Sequence, residues 1–205
     1  MKTMFLISIM TVLMTQAPAV QDFRPVILAF GDSLTAGYGV PRGSGYPEQL
    51  QRKLDSLGYK YRIVNMGISG DTTSGGRARL QSALNVMPSI VVLELGANDG
   101  LRGMPTAQMQ ANLEEMITAF QKKGATVILA GMTLPRNYGA AYVQSFEEVF
   151  RGLAKKHSLP IIPFFLEGVA GNPKYTLDDF LHPNADGYVL VTNLVLKTLE
   201  PILKK

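Results

Sequence analysis

One serine and one of two histidines carry the nucleophilic chemistry open to this 205-residue chain. Ser33 sits in Gly31-Asp32-Ser33-Leu34-Thr35, directly after an apolar run. A serine becomes a useful nucleophile when a base takes its proton as it attacks. The chain has no cysteine, so a thiol nucleophile, disulfides, Cys-ligated zinc and iron–sulfur clusters are excluded. His157 stands in Lys155-Lys156-His157-Ser158-Leu159-Pro160, between a helix pattern and a strand pattern. Cationic residues are common in a last helical turn, and this is not the end of a strand. His182 stands in Asp178-Asp179-Phe180-Leu181-His182-Pro183, after the last strand pattern and before the last helix. The spacing Asp179-x-x-His182 puts a carboxylate and an imidazole in one short loop. Asp179 can then accept from one ring nitrogen while the other faces Ser33, which fixes the tautomer and stabilises an imidazolium. The same spacing also suits a capping aspartate beside a surface histidine, and Asp178 is the alternative orienting carboxylate.

Acyl transfer also needs donors for the oxyanion. The backbone N–H of Ser33 is one candidate, because entry from a strand into a helix leaves amides unpaired. Gly70 is a second, since glycine lets backbone approach a ligand closely. The side-chain amide of Asn98 is a third. Taken singly, Gly70 and Asn98 read equally well as turn residues.

These residues are positioned by alternating strand and helix patterns. Strands are expected at Val26–Phe30, Tyr61–Val64, Ile90–Leu95, Thr126–Ala130 and Ile161–Phe165, the last interrupted by Pro163. Ile90–Leu95 is apolar throughout apart from Glu94, as in a buried parallel strand. Helices are expected at Tyr46–Leu57, Arg77–Val86, Ala107–Lys122, Tyr142–His157 and Ala185–Leu199, where apolar residues recur at helical spacing. Asn184 is a plausible cap for the last helix. Five strand–helix repeats with short connections imply one α/β domain over residues 20–205. Its five-stranded parallel sheet would be covered on both faces, and its ligand site would lie at the carboxyl ends of the strands. Every block singled out above follows a strand.

Met1–Ala19 read differently. Lys2 is their one charge, a largely apolar run spans Met4–Met14, and Ala17-Pro18-Ala19 has the small-residue pattern of a cleavage site. This is the pattern of a secretory signal, and the run is shorter than the roughly 20 residues that span a bilayer. Export to the periplasm or medium with cleavage after Ala19 is expected, leaving no stable membrane anchor. The net charge of +4 is spread over the chain without basic runs, so nucleic acid is not an expected partner. Nothing in the pattern demands more than a monomer. Gly-x-Ser-x-Gly is missing, which excludes the elbow of α/β-hydrolases. The phosphate-binding glycine motifs are missing too, and so is a zinc-type His-Glu-x-x-His, so no cofactor or metal is expected.

Four blocks in order carry a resemblance: Gly31-Asp32-Ser33-Leu34, Gly70, Gly96-Ala97-Asn98-Asp99 and Asp179-x-x-His182. Together they make the chain similar to the GDSL-type, or SGNH, serine hydrolases from end to end of residues 20–205. Glu94–Gly103, Leu134-Pro135-x-Asn137-Tyr138-Gly139 and Pro163-Phe164-Phe165 resemble the members that act on aryl esters, acyl thioesters and lysophospholipids. The resemblance implies a flavodoxin-like three-layer α/β/α fold and a small ester or thioester, including lipid-like ones, as substrate. It implies catalysis by Ser33, Asp179 and His182, with Ser33, Gly70 and Asn98 holding the oxyanion. An acyl groove is implied from the loops after the third and fourth strands, which offer Leu101, Met104, Met132, Leu134 and Tyr138. Ala97 departs from the pattern, since some members carry glycine there. A carbohydrate or short-acyl deacetylase of the same family, with the same triad and another pocket, is the alternative. A non-catalytic binding protein on this fold is the remaining one.

Overall fold

The computed structural model describes residues 22–205; the secretory-signal expectation for residues 1–19 lies outside them. Five strands form one sheet: β1 (Val26–Gly31), β2 (Arg62–Gly67), β3 (Ile90–Glu94), β4 (Thr126–Ala130) and β5 (Ile161–Ile162). All pairs are parallel and the order is β2-β1-β3-β4-β5. Every residue of β1 and β3 is buried, because central parallel strands are covered on both faces.

The helices are α1 (Ser33–Ala36), α2 (Tyr46–Ser56), α3 (Thr73–Ala78), α4 (Leu80–Asn85), α5 (Ala97–Leu101), α6 (Thr106–Lys122), α7 (Ala140–His157) and α8 (Ala185–Leu199). Parallel strands are joined by right-handed crossovers. The chain moves one way from β1 to β2 and the other way through β3, β4 and β5. The helix of the first crossover therefore lies on one face and those of the later crossovers on the other. In agreement, α2 packs with α8, while α6 packs with α3 and α7. The result is the three-layer, flavodoxin-like arrangement. Its strand order reverses between β1 and β3, and such a switch point opens a crevice at the carboxyl ends of the two strands. Buried Phe30 and Phe120 meet edge to face at 5.8 Å and lock α6 onto β1. Each such buried side chain contributes about 1.5–3 kcal/mol of hydrophobic stabilisation.

Besides β2, which runs to Gly67 instead of Val64, and the short helices α1 and α5, which the periodicity does not predict, two elements differ from expectation. The helix expected over Arg77–Val86 starts at Thr73 and breaks at Arg79, whose backbone leaves the helical region at φ −105°, ψ 11°. The Arg79 side chain turns inward there to three partners described below. The fifth strand ends at Ile162 instead of Phe165. Gly131 donates to Ile162 O and accepts from Phe165 N, one residue more than a regular parallel pair spans. The pairing slips by one residue after Pro163, so that Phe165 and not Phe164 donates to Gly131. α8 has the expected bounds, and Asn184 caps it by accepting from the Gly187 N–H at 2.9 Å.

Candidate active site

β1 delivers its last residue to the switch point, and α1 begins two residues later. Asp32 caps that helix: its Oδ1 accepts the Leu34 N–H at 3.1 Å. Ser33 is thereby the first helical residue, and its N–H makes no hydrogen bond among the described residues. Ser33 Oγ lies 2.9 Å from His182 Nε2, and His182 Nδ1 lies 2.6 Å from Asp179 Oδ2. An ionised carboxylate only accepts, so Nδ1 carries the proton and Nε2 is free to accept from the serine. The other Asp179 oxygen takes the N–H groups of Leu181 and His182, both at 2.9 Å. That tight loop puts Phe180 in the left-handed region at φ +57°, a strain of about 1–2 kcal/mol for a residue with a Cβ. Partial burial pushes the Asp179 carboxyl up, but its bonds to the His182 ring and the two N–H groups outweigh that and hold it below the ordinary carboxylate range. Asp178 is exposed and makes no side-chain hydrogen bond among the described residues. His157 lies at the end of α7, 2.9 Å from Glu114 on α6, away from this group.

Gly70 lies in the turn after β2 at φ +80°, and its N–H has no partner among the described residues. A Cβ there would meet only the Arg102 guanidinium at 3.8 Å, so the backbone angle, not space, calls for glycine. Arg102 Nη2 donates to Gly70 O at 2.9 Å and steadies the turn. Asn98 is the second residue of α5 and not part of a tight turn. Its Nδ2 lies 2.9 Å from Asp32 Oδ2 and 2.9 Å from Asp71 O. An amide nitrogen has two protons, and here both are committed. The structure thus gathers Ser33, Gly70 and Asn98 around the same strand ends.

Below them lies a support whose one trace in the sequence is Glu94, the break in an apolar strand. That carboxyl is buried, and its Oε2 accepts from the Asp32 N–H at 3.2 Å and from Thr35 Oγ1 at 2.8 Å. Gly31 has no room for a Cβ, because Thr35 and Glu94 occupy that space. Burial and then the Asp32 charge push the Glu94 carboxyl well above the ordinary carboxylate range. Burial likewise pushes Asp32 up to about 6, against the pull of Leu34, Glu94, His182 and Asn98. Arg79 braces the Gly70 turn: Nε donates to Asp71 Oδ2 at 2.7 Å, Nη1 to Met66 O at 2.7 Å and Nη2 to Gly31 O at 2.9 Å. Asp99, next to Asn98, accepts from Thr73 N and Oγ1 at 2.8 and 2.6 Å, tying α5 to α3. An acidic residue inside an otherwise apolar strand was the available signal for Glu94; Arg79 had none.

A cavity of about 420 Å³ opens beside Ser33, Asn98 and His182. Of the expected groove residues, Leu101, Met132 and Leu134 line it. Met104 and Tyr138 do not reach it. Tyr138 Oη donates to Leu101 O at 3.0 Å and Tyr142 Oη to Met104 O at 2.7 Å, so they brace the wall from behind. Phe164, Leu166 and Phe180, from segments after β5, also line it. Ala97 faces the same space. Among the described residues no three His, Asp or Glu side chains converge to hold a metal ion. Nor is any helix there long and apolar enough to cross a membrane.

A serine–histidine–aspartate row at the switch point of a flavodoxin-like sheet, without an α/β-hydrolase elbow, together with the similarities below, marks a serine ester hydrolase. The chain belongs to the GDSL-like lipase/acylhydrolase family, whose sequence model matches residues 29–190. It is 42% identical over 193 residues to esterase TesA of Pseudomonas aeruginosa, covering 94% of each chain. It is 37% identical to thioesterase 1/protease 1/lysophospholipase L1 of Escherichia coli, over 94% of this chain and 90% of that one. A crystal structure of TesA superposes with a TM-score of 0.84 at 42% identity, covering 87% of this chain and 99% of the other.

Proposed function

We propose that this enzyme hydrolyses carboxylic esters and thioesters with apolar acyl groups through an acyl-enzyme on Ser33. The observation that carries the reading is the row Ser33–His182–Asp179, at 2.9 and 2.6 Å, opening on an apolar cavity. Ser33 Oγ attacks the acyl carbon while His182 Nε2 takes its proton. Asp179 holds the imidazole in the required tautomer and stabilises the imidazolium. The N–H groups of Ser33 and Gly70 and the Asn98 amide hold the oxyanion. To do so, Asn98 turns one proton from the neutral carbonyl of Asp71 to the charged oxygen and keeps the other on Asp32. His182 then gives its proton to the departing alcohol or thiol. Water attacks the acyl-enzyme with His182 as base, and the carboxylic acid leaves with Ser33 restored.

The cavity volume lies within the roughly 300–1,000 Å³ range of small-molecule sites. Its lining suits aryl esters, acyl thioesters and lysophospholipids better than the polar sugar of a carbohydrate deacetylase. Residues 1–19 support export with cleavage after Ala19, which the N-terminal mass of the secreted protein tests. All the groups of this scheme come from one chain.

The test is kcat/KM on p-nitrophenyl esters from acetate to palmitate, with Ser33→Ala as control. Each buried methylene is worth about 0.8 kcal/mol, or about fourfold in rate, until the cavity fills. A rise of that order over the first several carbons is expected. A peak at acetate that collapses with length would favour a short-acyl deacetylase, and Ser33-independent turnover would end the scheme. Acyl-CoA and lysophospholipid hydrolysis then separate the thioester and lipid branches.

A further inference from the structure

Two hydrogen bonds hold His182, one at each ring nitrogen. Ring nitrogens donate and accept in the ring plane, so two such bonds restrain poorly a swing of the imidazole about the line joining their partners. Tyr38 is the aromatic neighbour of the imidazole, with ring centroids 4.7 Å apart and planes tilted by 48°. Tyr38 is 51% exposed, and its hydroxyl makes no hydrogen bond among the described residues, so neither core packing nor a polar contact explains its place. Its own position is held well. Gly37 and Gly39 flank it at φ +77° and +75°, and the Tyr38 N–H donates to Ser33 O at 3.1 Å. Gly39 packs against Leu177 with no room for a Cβ, and the Leu177 N–H donates to His182 O at 2.8 Å. The loop after α1 and the His182 loop therefore clasp at two points, Gly39 on Leu177 and Tyr38 on His182.

We propose that Tyr38 is a positioning residue of this site, whose ring sets the tilt of His182 toward Ser33 and whose face favours the imidazolium formed during attack. The inference rests on the Ser33–His182 mechanism above. A cation within about 6 Å of an aromatic centroid is attracted by the ring's electron-rich face. The charged or titratable groups that meet His182 are Asp179 in its own loop, Asp32 at the end of β1 and Tyr38. The two carboxylates act on it whatever stands at position 38, so a change there isolates the ring.

The experiment measures kcat, KM and the pH profile of kcat/KM on p-nitrophenyl butyrate for the wild type, Tyr38→Phe, Tyr38→Leu and Tyr38→Met, with melting temperatures recorded. Tyr38→Phe keeps the ring and should retain activity within about threefold. Tyr38→Leu and Tyr38→Met should lose about three- to tenfold in kcat with KM within twofold. Their acidic limb should move down by about half a pH unit, because the imidazolium has lost a stabilising face. A folded Leu or Met variant with the wild-type kcat and acidic limb would overturn the proposal. So would a loss confined to KM, which would make Tyr38 a substrate contact, or a Phe variant as impaired as Leu. Absence of Ser33-dependent turnover in the wild type would overturn the ester-hydrolase mechanism itself, and this inference with it.

Discussion

The Asn98 amide lies 2.9 Å from the Asp32 carboxylate and joins the ends of β3 and β1 across the switch point. Asp32 in turn leans on Glu94, which accepts its N–H. The Asn98 side chain is thus held from a buried acidic pair. Asn98→Ala should lower kcat about 100- to 1,000-fold with little change in KM, since the lost bond forms fully only in the transition state. Steady-state kinetics on a p-nitrophenyl ester check this, and a loss under about threefold would remove Asn98 from the oxyanion site.

Asp179 and Asp178 are adjacent, yet only Asp179 meets the histidine. Asp179→Asn should reduce kcat by about 1,000- to 10,000-fold, because an amide there favours the wrong tautomer of His182. Asp178→Asn should stay within twofold of the wild type. The reverse ranking in a side-by-side assay would assign the orienting role to Asp178.

Burial and the Asp32 charge raise the Glu94 carboxyl in the fold above the ordinary value of 4.5 that it has in the unfolded chain. The folded state then binds one proton more, so the contribution of Glu94 is fully present below pH 4.5 and is lost as pH rises. Glu94→Gln keeps a neutral donor and acceptor in the same space and has no such proton to lose. Relative to the wild type, the variant should gain about 1.4 kcal/mol per pH unit above 4.5, until the raised folded value is reached. Urea titrations at pH 4, 6 and 8 measure it. A constant stability difference across that range would mean that Glu94 is ionised in the fold.

Arg79 and Asp71 form a largely buried ion pair, with side chains 15% and 11% exposed. Arg79→Met would leave Asp71 unpaired and free the carbonyls of Met66 and Gly31. A destabilisation of about 2–4 kcal/mol is expected, with a loss of kcat as the Gly70 turn loosens. Arg79→Lys should recover only a part, because one ammonium cannot reach three diverging acceptors as the guanidinium fork does. A fully active, stable Met variant in thermal melts and ester assays would show that the turn holds itself.

The main lines of the fold were legible because strand and helix periodicities are local. Apolar runs such as Ile90–Leu95 and spaced apolar faces such as Leu113, Met116, Ile117 and Phe120 on α6 need no knowledge of the rest of the chain. Ser33, Gly70, Asn98 and His182 stood out for a related reason. In a parallel α/β sheet all strands point one way, so residues just after strand ends share an edge whatever their separation in sequence. Asp179 could be paired with His182 because only two residues intervene. The break at Arg79 lay beyond such reasoning, since the acceptors that pull it inward belong to β1, β2 and the loop after β2. The same holds for Glu94 beneath Asp32, Tyr38 beside the His182 ring, and Phe164, Leu166 and Phe180 in the cavity wall. Periodicity determines which face of an element is apolar. Which side chain meets which across 62 residues, as Glu94 meets Asp32, is decided by strand register and the twist of the assembled sheet, and those exist only once the chain has packed.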